Sequence, residues 1–231
     1  MIVTAGRYEV VLFDVDDTLM DHRGAANDAL QLWARDLGID MDAVELAAAW
    51  QLLERRYYDL YQRGELTKSG QRRARIRAML ERPDLTDRDA DALFEIYWTA
   101  YCAAWRVFPD AVDAVRRALG AGHRVGLLTN GEARDQQRKV EATVLAEFGL
   151  PMFASSELPA AKPHRKAFES ACNAMDVVPS RCLMVGDSLA NDVEGALNAG
   201  LSAVLLDRSG AKQRVPDGYG LIGSLDQLRF D

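Results

Sequence analysis

Three carboxylates and a hydroxyl crowd positions 14 to 18: Asp14, Asp16, Asp17 and Thr18. They follow a short apolar run, Val10-Val11-Leu12-Phe13, that reads as a buried strand. In an extended chain, residues two apart point to the same side. Asp14 and Asp16 therefore share one side and Asp17 turns off it. A bare carboxylate pair at a strand end is costly unless positive charge or a shared proton lies between the two groups. A divalent metal would supply that charge. The plain structural alternative is a strand followed by an acidic turn that caps a helix.

Other polar groups sit at comparable places. Thr129, Asn130 and Gly131 follow the apolar run Arg124–Leu128. Lys162 follows the weak strand Met152–Ala154 and precedes the next helix. Gly186, Asp187 and Ser188, then Asn191 and Asp192, follow the strand Cys182–Val185. Taken singly, these are an ordinary turn, a solvated lysine and a helix cap. Together they fall on one edge, because ligands of open parallel sheets bind outside the carboxyl ends of the strands.

The elements that must position them alternate in the second half of the chain. Helices are expected over Ala111–Leu119, Glu132–Phe148, His164–Met175 and Asn191–Ala199, with a last strand over Ala203–Leu206 and a short addition at Leu221-Ile222. This is the pattern of a parallel sheet covered on both faces, a Rossmann-like α/β core. Asp207–Tyr219 reads as a loop. Between the first strand and the rest lies a stretch with helical spacing only: Ala25–Leu37, Asp42–Gln62, Thr67–Leu80 and Thr86–Trp105. The expected organisation is a core of residues 1–20 and 106–231 with a four-helix insertion over 21–105. The third inserted helix carries Arg72, Arg73, Arg75 and Arg77, which cannot all face one way and read as a solvated surface.

Four segments carry a resemblance: Asp14-Val15-Asp16-Asp17-Thr18, Leu128-Thr129-Asn130-Gly131, Lys162-Pro163 with Phe168 following, and Gly186-Asp187-Ser188 through Asn191-Asp192. In this order they resemble the motifs of the haloacid dehalogenase superfamily of phosphatases, and the likeness covers the whole chain. The inserted helices resemble the cap of the family's first cap class, whose inner residues and hinges, near Met20–Gly24 and Trp105–Pro109, would select the substrate.

The resemblance and the residue types imply the same roles. Asp14 is the expected nucleophile, forming an aspartyl-phosphate. Asp16 is the expected general acid for the leaving oxygen and then base for the attacking water. Mg²⁺, which favours hard oxygen ligands, is implied at Asp14, Asp187 and the backbone carbonyl of Asp16. Thr129 and the Asn130 N–H would take phosphoryl oxygens. Lys162 would stabilise the nucleophile and the developing charge. Asp192 is expected to support the metal site, either through water or by holding Lys162. Thr18 reads as a brace for the turn, and Asp17 as a bystander.

Asp16 also discriminates between activities. Dehalogenases that resemble this chain lack a carboxylate two residues after the nucleophile, since halide leaves without a proton. Asp16 thus points to a phosphate ester, with a small phosphorylated metabolite, a sugar phosphate or nucleoside monophosphate, as the expected substrate. A 2-haloacid dehalogenase is the alternative. A phospho-Asp receiver module is disfavoured by the large insertion, and a non-catalytic binding protein by the completeness of the motifs.

Bulk properties set the frame. The chain has 231 residues, 48% hydrophobic and 27% charged, with a net charge of −7. The acidic balance argues against general nucleic-acid binding. No apolar run reaches the roughly 18 residues of a membrane span. Met1–Tyr8 lacks the layout of a signal peptide. Cys102, Cys172 and Cys182 are too few and too scattered for a disulfide framework or a zinc site, and point to a reducing cytoplasm. A monomer or homodimer is expected.

Overall fold

The computed structural model describes residues 3–4, 8–211 and 219–230. The chain divides into two units, Met1–His22 with Arg106–Asp231, and Arg23–Trp105.

The first unit is built on strands β1 (Val3–Thr4) and β2 (Val10–Phe13). The second unit holds most of helix α1 (His22–Asp36), then α2 (Ala43–Gln62), α3 (Lys68–Met79) and α4 (Asp87–Ala103). The first unit resumes with α5 (Ala111–Gly120), β3 (Arg124–Thr129), α6 (Ala133–Glu141), β4 (Met152–Ala154), α7 (Arg165–Ala174), β5 (Cys182–Gly186), α8 (Gly195–Asn198), β6 (Ser202–Leu206), β7 (Gly220–Ile222) and β8 (Leu228–Arg229).

Six strands form one sheet in the order β4-β3-β2-β5-β6-β7, and every pairing is parallel. All four residues of β2 are fully buried, as a strand covered on both faces must be. That is why its sequence is a continuous apolar run and not an alternating one. Helices α5 and α7 bury one stripe each: Ala111, Ala114, Val115 and Ala118, and Ala167, Phe168, Ala171 and Cys172. β2 lies between β3 and β5, with Phe13 opposite both Leu127 and Val185. The chain runs outward from β2 through β3 to β4 and then returns to β5 on the other side. β2 therefore ends at the point where the winding reverses, the place where such sheets leave a crevice.

Two expected helices are corrected. The helix expected over Glu132–Phe148 is α6 followed by a separate 3₁₀ turn, Val144–Phe148. Thr143 divides them: it is extended, and its hydroxyl accepts from the Leu145 N–H. The helix expected from Asn191 starts at Leu189 as a π-helical turn to Glu194, capped by Ser188, and only its last part is α-helical. The parallel pair β1–β8 was not expected, since two-residue strands carry no period. The short strand at Leu221-Ile222 is β7, paired with β6. Of the expected loop Asp207–Tyr219, residues 212–218 lie outside the described residues, as do five residues of Met1–Tyr8.

The second unit has its own core, with Trp33, Trp50, Ile76, Phe94, Tyr97 and Tyr101 buried together. Asp42, Thr67 and Thr86 cap α2, α3 and α4 by accepting from backbone N–H groups of the first turn. The arginines of α3 are not a solvated face. Arg75 is buried, pairs with Glu54 and lies over the Trp50 ring at 4.8 Å. Arg73 pairs with Asp87 and Asp91, and Arg77 donates to the Leu85 carbonyl and Asp87. Arg72 stacks over Phe94 and Trp98. Radiating arginines thus fasten α3 to its neighbours through acids and rings that sequence spacing does not bring together.

Candidate active site

Asp14 leaves β2 with its N–H still bonded to the Val185 carbonyl at 2.9 Å. The carboxylate is thereby fixed at the sheet edge. The chain then reverses at once. Asp17 is left-handed at φ 59, its N–H bonds the Met20 carbonyl, and the Val15 carbonyl takes the N–H groups of Leu19 and Met20. Aspartate tolerates that conformation better than most residues. Thr18 is buried, but its hydroxyl finds no hydrogen-bond partner among the described residues. The expected brace comes from its carbonyl, which accepts from Arg208.

Lys162 is the centre of the buried charge. Its ammonium donates to Asp14 Oδ1 at 2.6 Å, to Asp192 Oδ1 at 2.6 Å and to the Leu128 carbonyl at 2.8 Å. All three ammonium protons are used. Burial disfavours the charged lysine, but the attraction of Asp14 and Asp192 outweighs it and holds the proton more firmly than usual. The Lys162 backbone is clamped as well. Asn130 accepts from its N–H at 2.8 Å and donates to its carbonyl at 2.7 Å. The Asn130 side chain thus ties the turn after β3 to the lysine. Thr129, buried, precedes it at the end of β3.

Asp192 sits on the π-helical turn with both oxygens engaged, Oδ1 by Lys162 and Oδ2 by the Ser188 N–H at 3.0 Å. The geometry shows Asp192 holding Lys162 and also sets it beside Asp14 and Asp187. Gly186 makes room for it, since a Cβ there would stand 2.3 Å from the Asp192 carboxyl carbon.

Carboxylate oxygens of Asp14, Asp187 and Asp192 lie within 4.8 Å of one another. Burial pushes the Asp14 carboxyl well above the ordinary range, and Asp192 and Asp187 push the same way against the pull of Lys162. Three carboxylates around one ammonium leave an excess of negative charge. A hard divalent cation, bound through oxygen, fits that donor set.

Asp16 faces different partners. Its oxygens accept from Lys139 Nζ at 2.6 Å and from Gln136 Nε2 at 2.8 Å. Burial opposes the charged carboxylate, but Lys139, His22 and Gln136 together hold it far below the usual range. Neither Lys139 nor Gln136 was singled out in the sequence. A signal was present: Gln136 and Val140 are four apart on α6, and Lys139 is three from Gln136, so the inward apolar residue marks the face that all three share.

The structure brings together Asp14, Thr129, Asn130, Lys162, Asp187 and Asp192 at neighbouring strand ends, with Asp16 held from α6. The haloacid dehalogenase-like hydrolase family matches residues 8–200. The chain belongs to that family. It is a hydrolase of this superfamily, as the motif order implied. It is 28% identical over 226 residues to the pyrimidine 5'-nucleotidase YjjG of Escherichia coli (strain K12), covering 96% of each chain. It is 30% identical over 204 residues to the ribulose-1,5-bisphosphate 5-phosphatase of Halopiger xanaduensis, covering 86% of this chain and 84% of that one. The fold also matches the HAD-hydrolase YfnB from Bacillus subtilis, solved bound to magnesium, with a TM-score of 0.77, 24% identity and 96% of both chains covered. Among the described residues, no helix of this hydrolase is long and apolar enough to cross a membrane.

Proposed function

We propose that this hydrolase is a magnesium-dependent phosphomonoesterase that acts on a small phosphorylated metabolite through an aspartyl-phosphate. The observation that carries the reading is Asp16, a carboxylate two residues after the nucleophile and held at the same edge by Lys139 and Gln136. A group able to move a proton there suits an oxygen leaving group and has no use in halide displacement.

Asp14 attacks phosphorus as the bond to the ester oxygen breaks, and Asp16, ionised beside Lys139, relays a proton from solvent to that oxygen. Asp16 then takes a proton from water, the water oxygen attacks the phosphoryl group, and inorganic phosphate leaves with Asp14 restored. Lys162 keeps a fixed positive charge beside Asp14 throughout. Thr129 and the Asn130 N–H would donate to phosphoryl oxygens, while the Asn130 side chain holds Lys162 in place. Asp14, Asp187 and the Asp16 carbonyl would hold Mg²⁺, with Asp192 supporting through Lys162. When bound, the ion offsets the repulsion between the nucleophile and the substrate phosphate. A sugar phosphate or nucleoside monophosphate agrees with relatives that are a nucleotidase and a sugar-bisphosphate phosphatase. Cys102, Cys172 and Cys182 form no disulfide among the described residues, in keeping with a reducing cytoplasm.

The test is phosphate release from a panel of sugar phosphates and nucleoside monophosphates. Turnover is expected with Mg²⁺, is lost on chelation, and is abolished in Asp14→Asn. Halide release from 2-haloacids by a protein inert toward every phosphomonoester would overturn the reading.

A further inference from the structure

We propose that Lys139 and Gln136 are positioning residues for Asp16, aiming its carboxylate at the leaving oxygen and then at the attacking water. The inference rests on the phosphatase reading and assigns residues that none of the four motifs contains.

The two side chains reach Asp16 from 123 and 120 residues along the chain. They sit three apart on α6, which puts them on one helix face. Lys139 and Gln136 are each 5% exposed, whereas the Asp16 side chain is 25% exposed. The carboxylate is thus held by buried groups while part of it stays open to a reactant. One donor takes each oxygen, Lys139 on Oδ1 and Gln136 on Oδ2, so rotation about the carboxylate is restrained as well as its position. A surface ion pair between long flexible side chains would not give that restraint.

The neighbouring turn is shaped around this arrangement. A Cβ on Gly131 would stand 2.9 Å from Gln136 Nε2 and 3.1 Å from Gln136 Cγ. Gly131 has no left-handed backbone to account for, so the space that a side chain would fill is what the glycine supplies. The start of α6 is pinned from outside the helix. Ser155 Oγ accepts from the Gly131 N–H at 3.0 Å and Ser156 Oγ from the Ala133 N–H at 2.9 Å. The turn that carries Thr129 and Asn130 and the helix that holds Asp16 are therefore one rigid piece, and the phosphate-binding groups and the proton carrier keep a fixed separation.

The test compares two single-turnover rates in the Mg²⁺-loaded enzyme, which separate protonation from the rest of the chemistry. One is phosphoryl transfer from an alkyl phosphate, whose leaving oxygen needs a proton. The other is the burst of nitrophenolate from 4-nitrophenyl phosphate, whose leaving group departs without one. Lys139→Met is expected to slow the first by about 10²-fold, with substrate affinity within about twofold, and to change the second by less than about threefold. Lys139→Arg should restore most of the alkyl rate, and Gln136→Leu should show the same selectivity with a smaller loss. If Lys139→Met fails to fold, Gln136→Leu and Lys139→Arg carry the comparison. Equal losses on both substrates, or no loss on either, would overturn the positioning role while the wild-type enzyme still upheld the phosphatase reading. A wild-type enzyme inert on both substrates would instead overturn the phosphatase reading itself.

Discussion

Asp192 shows how tightly a single side chain is specified here. One oxygen faces an ammonium and the other a backbone N–H. Asp192→Asn keeps the shape but sets an NH₂ group against one of these donors. If the amide nitrogen meets the Ser188 N–H, donor faces donor; if the residue flips, the amide meets Lys162 instead. Either way a buried donor is left unsatisfied, at about 1–3 kcal/mol. Urea denaturation is expected to show that loss, with a fall in turnover because Lys162 is no longer drawn toward its place. A variant as stable and active as wild type would refute the assigned contacts. The same accounting separates Asp14 from Asp16, two acids two residues apart. Burial pushes the Asp14 carboxyl up, and Asp192 and Asp187 add to that against the pull of Lys162. Asp16 faces Lys139, and its carboxyl is pulled down.

At the scale of elements, the helical unit is held by rings as well as by aliphatic packing. Trp50 is 1% exposed, lies 4.6 Å from the Tyr97 ring centroid and 5.7 Å from that of Trp33, and donates its indole N–H to the Tyr97 hydroxyl. Burial pushes the Tyr97 phenol upward, with Glu54 adding to it, so Tyr97 stays a neutral partner. Trp50→Ala removes the ring that Tyr97, Trp33 and Arg75 all face, and is expected to cost about 3–5 kcal/mol. A cooperative transition shifted by less than about 1 kcal/mol would show that α2 packs by other means. Helical spacing placed the four helices, so their extents were legible in the chain. The destinations of the α3 arginines were not, because each depends on which acid or ring a neighbouring helix presents.

Across the first unit, distant segments meet at Asp110. It begins α5 but makes no capping bond with its side chain. Its oxygens accept instead from Arg208 at 2.8 and 3.0 Å, from the Ser224 hydroxyl at 2.8 Å and from the Leu225 N–H at 2.9 Å. Arg208 also lies over the Phe108 ring at 3.8 Å and donates to the Thr18 carbonyl. The start of α5, the segment after β6 and the end of the chain are thereby tied to the turn behind Asp14. Burial opposes the Asp110 charge, but Arg208, Ser224 and Leu225 outweigh it and lower its pKa. A group depressed in the folded state adds stability that is complete above its unfolded pKa, near 4, and fades as pH falls through the folded value. Asp110→Asn is expected to cost about 1–3 kcal/mol at pH 7, with the gap to wild type closing below about pH 4. Urea titrations across pH read this directly, and a gap that stayed constant to pH 3 would contradict it.

The sequence by itself determined the sheet-and-helix alternation, the all-helical insertion and the residues at the strand ends. Each of these is written in local spacing: a period of 3.6, a short apolar run, a carboxylate directly after a strand. Only the tertiary structure decided that Asp192 serves Lys162, that Asn130 clamps the lysine backbone and that Asp16 is held by Lys139 and Gln136. Those pairings join residues 30 to 123 positions apart. Strand order and helix orientation bring them within hydrogen-bond reach, and no local pattern records either. The acidic pair at the end of β2 and Lys162 as the cation for Asp14 were legible in the chain; Lys139, the buried cation that holds Asp16, was visible only in the fold.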